Sequence, residues 1–117
     1  MARKRSLALV SDDLMFASQL QGAMARVGGS CALVVGDTVP PVDAVFVDLN
    51  RDADSHIELI AKLRTERAAL PIIGFCHHGE RELRRRALAE GATRVINNGA
   101  LQMVALRLSG LIAGRPR

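Results

Sequence analysis

Aromatic residues are scarce, with three Phe and neither Trp nor Tyr in 117 residues. Without rings on which bases could stack, the chain lacks a platform for single-stranded nucleic acid. Cysteine is scarce as well. Cys31 and Cys76 are far apart and outside any C-x-x-C spacing, which argues against a disulfide framework or a thiolate zinc site and fits a reduced, cytoplasmic setting. No apolar run approaches membrane-spanning length. The stretch Leu7 to Val10, behind a basic start, is too short for a signal peptide.

What is present describes a folded chain. The hydrophobic content of 49% with mixed charge suits a single domain over residues 1–117, with basic tails at 1–5 and 114–117. The net charge is +4, and nearly all of its cations are Arg. Arg81, Arg84, Arg85 and Arg86 fall in one helical stretch that could meet an acidic partner. A solvated helix face accounts for them, and direct contact with nucleic acid is not expected.

Apolar runs of strand length recur at Leu7–Val10, Cys31–Val35, Ala44–Val47, Pro71–Phe75 and Thr93–Ile96. Their continuous apolarity marks strands covered on both faces, as in a parallel sheet. Helical periodicity fills the intervals Leu14 to Val27, Ser55 to Arg67 and Glu80 to Glu90, and Ala100 to Ala113 follows the fifth strand. Gly28-Gly29 and Gly91 supply stops. A doubly wound α/β fold follows. One interval is anomalous: "GDTVPPVD", Gly36 to Asp43, has two prolines and no room for a crossover helix. Extended at ~3.3 Å per residue it spans about 26 Å, enough to pass a neighbouring strand, so the second helix should be missing or cut to one turn.

In open α/β sheets ligands lie beyond the carboxyl ends of the strands. Those ends carry Asp12 and Asp13, then Asp48, then Cys76 and His77, then Asn97 and Asn98. Three carboxylates at one edge repel unless a cation joins them, and Mg²⁺ suits a few carboxylates, retained waters and a phosphoryl ligand. Asp13, just before Leu14, could instead only cap the helix.

These residues resemble the receiver domain of two-component response regulators, the CheY-like family, from Leu7 to about Ile112. "LALVSDD" is similar to its first strand and acidic pair, "DAVFVDLN" to its third strand with the phosphoacceptor aspartate, "LPIIGFC" to its fourth and "GATRVI" to its fifth. The resemblance implies a flavodoxin-like, five-stranded parallel sheet in the order 2-1-3-4-5. It implies that Asp12 and Asp13 hold Mg²⁺ together with Asp48 and the backbone carbonyl of Asn50. It also implies that Asp48 accepts a phosphoryl group from a histidine kinase or phosphotransfer protein.

The chain departs from that family where the family reads out phosphorylation. Cys76 stands for a Ser or Thr, Asn98 for a Lys, and Val95 for an aromatic rotamer switch. Asp52 and His56 replace the Pro and Gly of the loop after Asp48. The expectation is an atypical signalling module, a Mg-dependent phosphoacceptor with an impaired switch and no enzyme activity. Two alternatives stay open: a phosphorylation-independent interaction or dimerisation domain, and a small Mg-dependent phosphatase. His77 could line the site. "CHHG" as a transition-metal site lacks a third ligand, and Cys76 reads as a packed thiol. The last helix is apolar nearly all round, which suggests a homodimer or docked output domain on the face made by the family's fourth helix, fifth strand and fifth helix.

Overall fold

The computed structural model describes residues 5–109. Five strands form one parallel sheet in the order β2-β1-β3-β4-β5, where β1 is Ser6–Val10, β2 Ser30–Val34, β3 Ala44–Asp48, β4 Ile72–Cys76 and β5 Arg94–Asn97. Four helices are interleaved: α1 Leu14–Arg26, α2 Ala53–Glu66, α3 Arg81–Glu90 and α4 Leu101–Leu108, the last entered through a 3₁₀ turn at Asn98–Ala100. The fold and strand order implied by the sequence are the ones observed.

Register follows from burial. β1 pairs with both neighbours over its length, and β3 and β4 are buried at every position. The alternation of side chains splits the core in two. On one face Val10, Val45, Val47 and Ile72 meet Ile57, Ile60 and Leu63 of α2. On the other, Leu7, Leu9, Phe46 and Phe75 meet Phe16, Leu20 and Met24 of α1 and Leu101 and Val104 of α4. Phe16 and Phe75 pack edge to face at 5.0 Å, an arrangement that contributes roughly 0.5–1.5 kcal/mol beyond area burial.

Residues 35–43 contain no helix, as the prolines require. Val39, 5% exposed, plugs the core on the α2 side where a crossover helix would lie, and Val42 packs beside it. Arg67, at the end of α2, fixes this extended chain by donating to Pro40 O at 2.9 Å and to Val39 O. α1 stops at Gly28, whose φ of +79° lets Gly29 N–H reach back to Met24 O at 2.8 Å.

Two features differ from the expected ones for local reasons. α2 begins two residues early because Asp52 takes a left-handed φ of 51° and turns the chain at once into the helix. The last helix is not apolar to solvent all round. Leu101, Val104 and Ala105 are buried against α1 and the sheet, leaving Met103 and Arg107 outward. Leu111 and Ile112, expected to extend it, lie outside the described residues.

Candidate functional site

β3 delivers Asp48 to the carboxyl edge, as the sequence requires, but into a closed environment. Asp48 is 1% exposed. Its Oδ2 accepts from Ser11 Oγ at 2.7 Å, and its Oδ1 accepts at 2.8 Å from both the Asn50 N–H and Asn50 Nδ2. A carboxylate has about four lone-pair directions, and three are taken. These bonds replace the hydration that burial removes.

Asn50 is itself held. Its Nδ2 donates to Asn98 Oδ1 at 3.0 Å, and Asn98 Nδ2 returns a bond to Asn50 Oδ1 at 3.1 Å. This reciprocal amide pair ties the loop after β3 to the 3₁₀ turn after β5, across the top of β4. On the opposite flank Ser11 follows β1 directly. Its N–H donates to Val34 O at 3.1 Å, while its Oγ accepts from the Asp13 N–H at 3.0 Å. His56, one turn into α2, donates from Nδ1 to the Asp48 carbonyl, which fixes its tautomer.

The other acids have different roles. Asp13 caps α1, with Oδ1 accepting from the Met15 N–H at 2.8 Å. Asp12 faces Arg51 at 3.6 Å, both side chains about half exposed. Such a pair contributes ~0–1 kcal/mol. Among the described residues no three His, Cys, Asp or Glu side chains group closely enough to hold a metal ion. Of the set implied to hold Mg²⁺, Asp12, Asp13 and Asp48 have partners within the chain, and Asn50 gives its N–H and side chain to Asp48. Asp48 has its oxygens on Ser11 and Asn50, Asp13 is committed to its helix, and the cation beside Asp12 is a guanidinium.

The positions that depart from the family pattern are packed. Cys76 is fully buried, and burial, ahead of the opposing charges of Arg84 and Glu80, pushes its thiol up. It is an inert packed thiol. Val95 is half-buried against the α2-side core. His77 and His78 are exposed in the turn before α3, and no hydrogen bond among the described residues joins either to Asp48. The histidine that touches it is His56.

Ser11, Arg51 and His56 were not singled out as site residues by sequence reasoning. Ser11 had a signal: it stands directly after the strand, ahead of the two acids, in the place nearest Asp48. His56 had none, because its role depends on the early start of α2. A recess of about 620 Å³ lies between α2 and α3, lined by Asp54, Ile57, Glu58, Arg85 and Arg86, and does not include Asp48.

No family model matches the chain, and no curated protein matches it. Solved structures do. The receiver domain of the TMAO respiratory system response regulator TorR is 20% identical over 96% of this chain and 99% of that one, with a TM-score of 0.76. A response regulator protein from Burkholderia multivorans is 22% identical, covering 98% of each chain, at 0.74. A CheY-like protein, TadZ, from Pseudomonas aeruginosa is 19% identical over 92% and 95%, at 0.75. The chain has the receiver-domain fold.

Proposed function

We propose that this chain is a receiver-fold signalling module that works by protein contact, with Asp48 serving the fold instead of accepting a phosphoryl group. The observation that carries this reading is the closure of Asp48, buried and bonded on both oxygens by Ser11 and Asn50. In-line attack on phosphorus requires a free carboxylate oxygen and charge neutralisation at the transferring group. Here each oxygen is engaged, and neutral amides stand where a cation would help. The receiver fold of the structural neighbours supports the signalling context, and a fold by itself fixes no chemistry.

A second reading has one observation in its favour: Asp48 ends a central strand at the edge where Asp12 also lies. On that reading Asp48 is a phosphoacceptor using Mg²⁺, with Cys76, Val95 and Asn98 giving a weakened switch and a histidine kinase as donor.

Incubation with Mg²⁺ and acetyl phosphate, followed by intact-mass analysis, separates the two. The proposed function expects no phosphoryl adduct and no amide shifts on adding Mg²⁺ and beryllofluoride. An adduct that forms on the parent chain and disappears in Asp48→Asn overturns it in favour of the second reading.

A further inference from the structure

The two edges of the sheet are finished differently. Along β5, Arg84 reaches from α3 over the outer side of the strand, donating from Nη1 to Val95 O at 3.0 Å and from Nη2 to Asn97 Oδ1. A charged side chain laid on an edge blocks the pairing of a further strand. β2 has no such guard. Ser30 N–H donates to Arg5 O at 3.0 Å, and Val34 O accepts from Ser11 N–H at 3.1 Å, so Ser30, Ala32 and Val34 turn their backbone toward β1. By alternation, the N–H and C=O groups of Cys31, Leu33 and Val35 point away from the sheet. Gln21 Nε2 meets Cys31 O at 3.2 Å, and no bond among the described residues reaches the outward groups of Leu33 or Val35.

The side chains agree with the backbone. Leu33 is 42% exposed and Val35 is 75% exposed. From Ser30 to Gly36 there is no charged residue and no proline, the devices by which natural edge strands repel partners. The crossover that follows is extended chain, so no helix follows this strand to shield its edge.

We propose that β2 pairs antiparallel with β2 of a second copy, joining the two sheets into one of ten strands. The occupant follows from self-complementarity. About a two-fold axis through Leu33, Leu33 faces its own counterpart and Cys31 faces Val35 of the second copy, so every outward pair is apolar against apolar and no like charges meet. Asp37, the first charge beyond the strand, comes opposite Gly29 of the second copy. Both chains keep their arginine-rich α3 at the far edge of the joined sheet. The seam does not involve Asp48, so failure of this inference and failure of the proposed function are separate results.

Sedimentation velocity and light scattering on the full chain, from micromolar to millimolar concentration, should report a concentration-dependent dimer. Leu33→Lys sets two ammonium groups face to face at the axis. It should weaken the dimer by about tenfold or more while the circular dichroism spectrum and unfolding cooperativity stay those of the parent. Val35→Cys provides a test of register. Hydrogen-bonded antiparallel pairs hold Cα atoms ~5.5 Å apart, within disulfide reach, so mild oxidation should link it to Cys31 of the second copy.

A chain that stays monomeric throughout, or fails to cross-link in the Val35→Cys variant, overturns the proposal. So does a dimer that survives Leu33→Lys and is lost in Met103→Lys on α4, which would move the contact to the opposite edge. Monomers that bind a foreign strand peptide along β2 would do the same.

Discussion

Replacing Asp48 tests whether the carboxylate holds the fold together or waits for a ligand. In Asp48→Ala the hydroxyl of Ser11, the N–H of Asn50 and one hydrogen of Asn50 Nδ2 lose an acceptor that is itself buried. A buried donor left unpaired costs ~1–3 kcal/mol. The second hydrogen of Asn50 Nδ2 keeps Asn98, and the loop can relax, so the low end applies to each of the three. The expected loss is about 3 kcal/mol, or about 10–15 °C in Tm for a domain of this size.

Asp48→Asn should cost only ~1 kcal/mol, because its carbonyl can still accept both Asn50 bonds while the Ser11 contact is impaired. Asp12→Ala is the control, expected to shift stability by less than ~0.5 kcal/mol since its partner Arg51 is largely solvated. Urea denaturation at neutral pH reads all three. An acid kept for chemistry is often a stability liability, so removing it leaves the domain as stable or more so. If Asp48→Ala unfolds at or above the parent midpoint, the structural role assigned to Asp48 is wrong.

Three further outcomes follow from other contacts. Arg64 donates to Leu70 O at 2.8 Å, Ala68 O and Gly91 O at 2.9 Å, and Thr93 Oγ1 at 3.1 Å, so Arg64→Ala should cost about 2 kcal/mol in chemical denaturation. Arg64→Lys should recover less than half of that, because an ammonium cannot reproduce the planar fork. Burial pushes the Cys31 thiol up to about 11 from 9.0, so below pH 9 its thiolate fraction, and with it the rate of alkylation in the folded protein, should be about a hundredfold under that of a free thiol. Because the folded value is the higher one, the associated stability is present below about pH 9 and lost as pH rises through about 11, which unfolding midpoints at neutral and alkaline pH will register. Asn98→Ala should cost ~1 kcal/mol and speed hydrogen exchange at the Asn50 amide, since Asn50 Nδ2 loses a partner and the loop loses its tie to β5.

The fold was legible because its signals are local and repeated. Four uninterrupted apolar runs and a fifth broken by Arg94, glycine stops after α1 and α3, and two prolines in a short crossover leave little freedom in topology. Arg67 and Val39 then show how the missing helix is replaced, a detail that depends on where an extended chain happens to fall. The site was legible in its place and less so in its wiring. That Asp48 reaches the carboxyl edge follows from strand length alone. Which acids join it depends on a single residue of offset after β1: Ser11 bonds Asp48, Asp12 faces Arg51, and Asp13 becomes the cap of α1. Sequence reasoning had already given Asp13 the role of cap as one option. The pairing of Asn50 with Asn98 lay beyond it, because two residues 48 apart meet only once β3, β4 and β5 stand in order.

The Asn50–Asn98 pair has a consequence for how such a module can be controlled. Two primary amides that satisfy each other carry no formal charge, so dissolved ions neither screen the link nor compete for it, as they would for a lysine and a carboxylate across the same gap. A fastening of that kind has no external handle. On the proposed function the chain signals by being present and by what it touches, and its abundance and its neighbours become the variables that a cell can adjust.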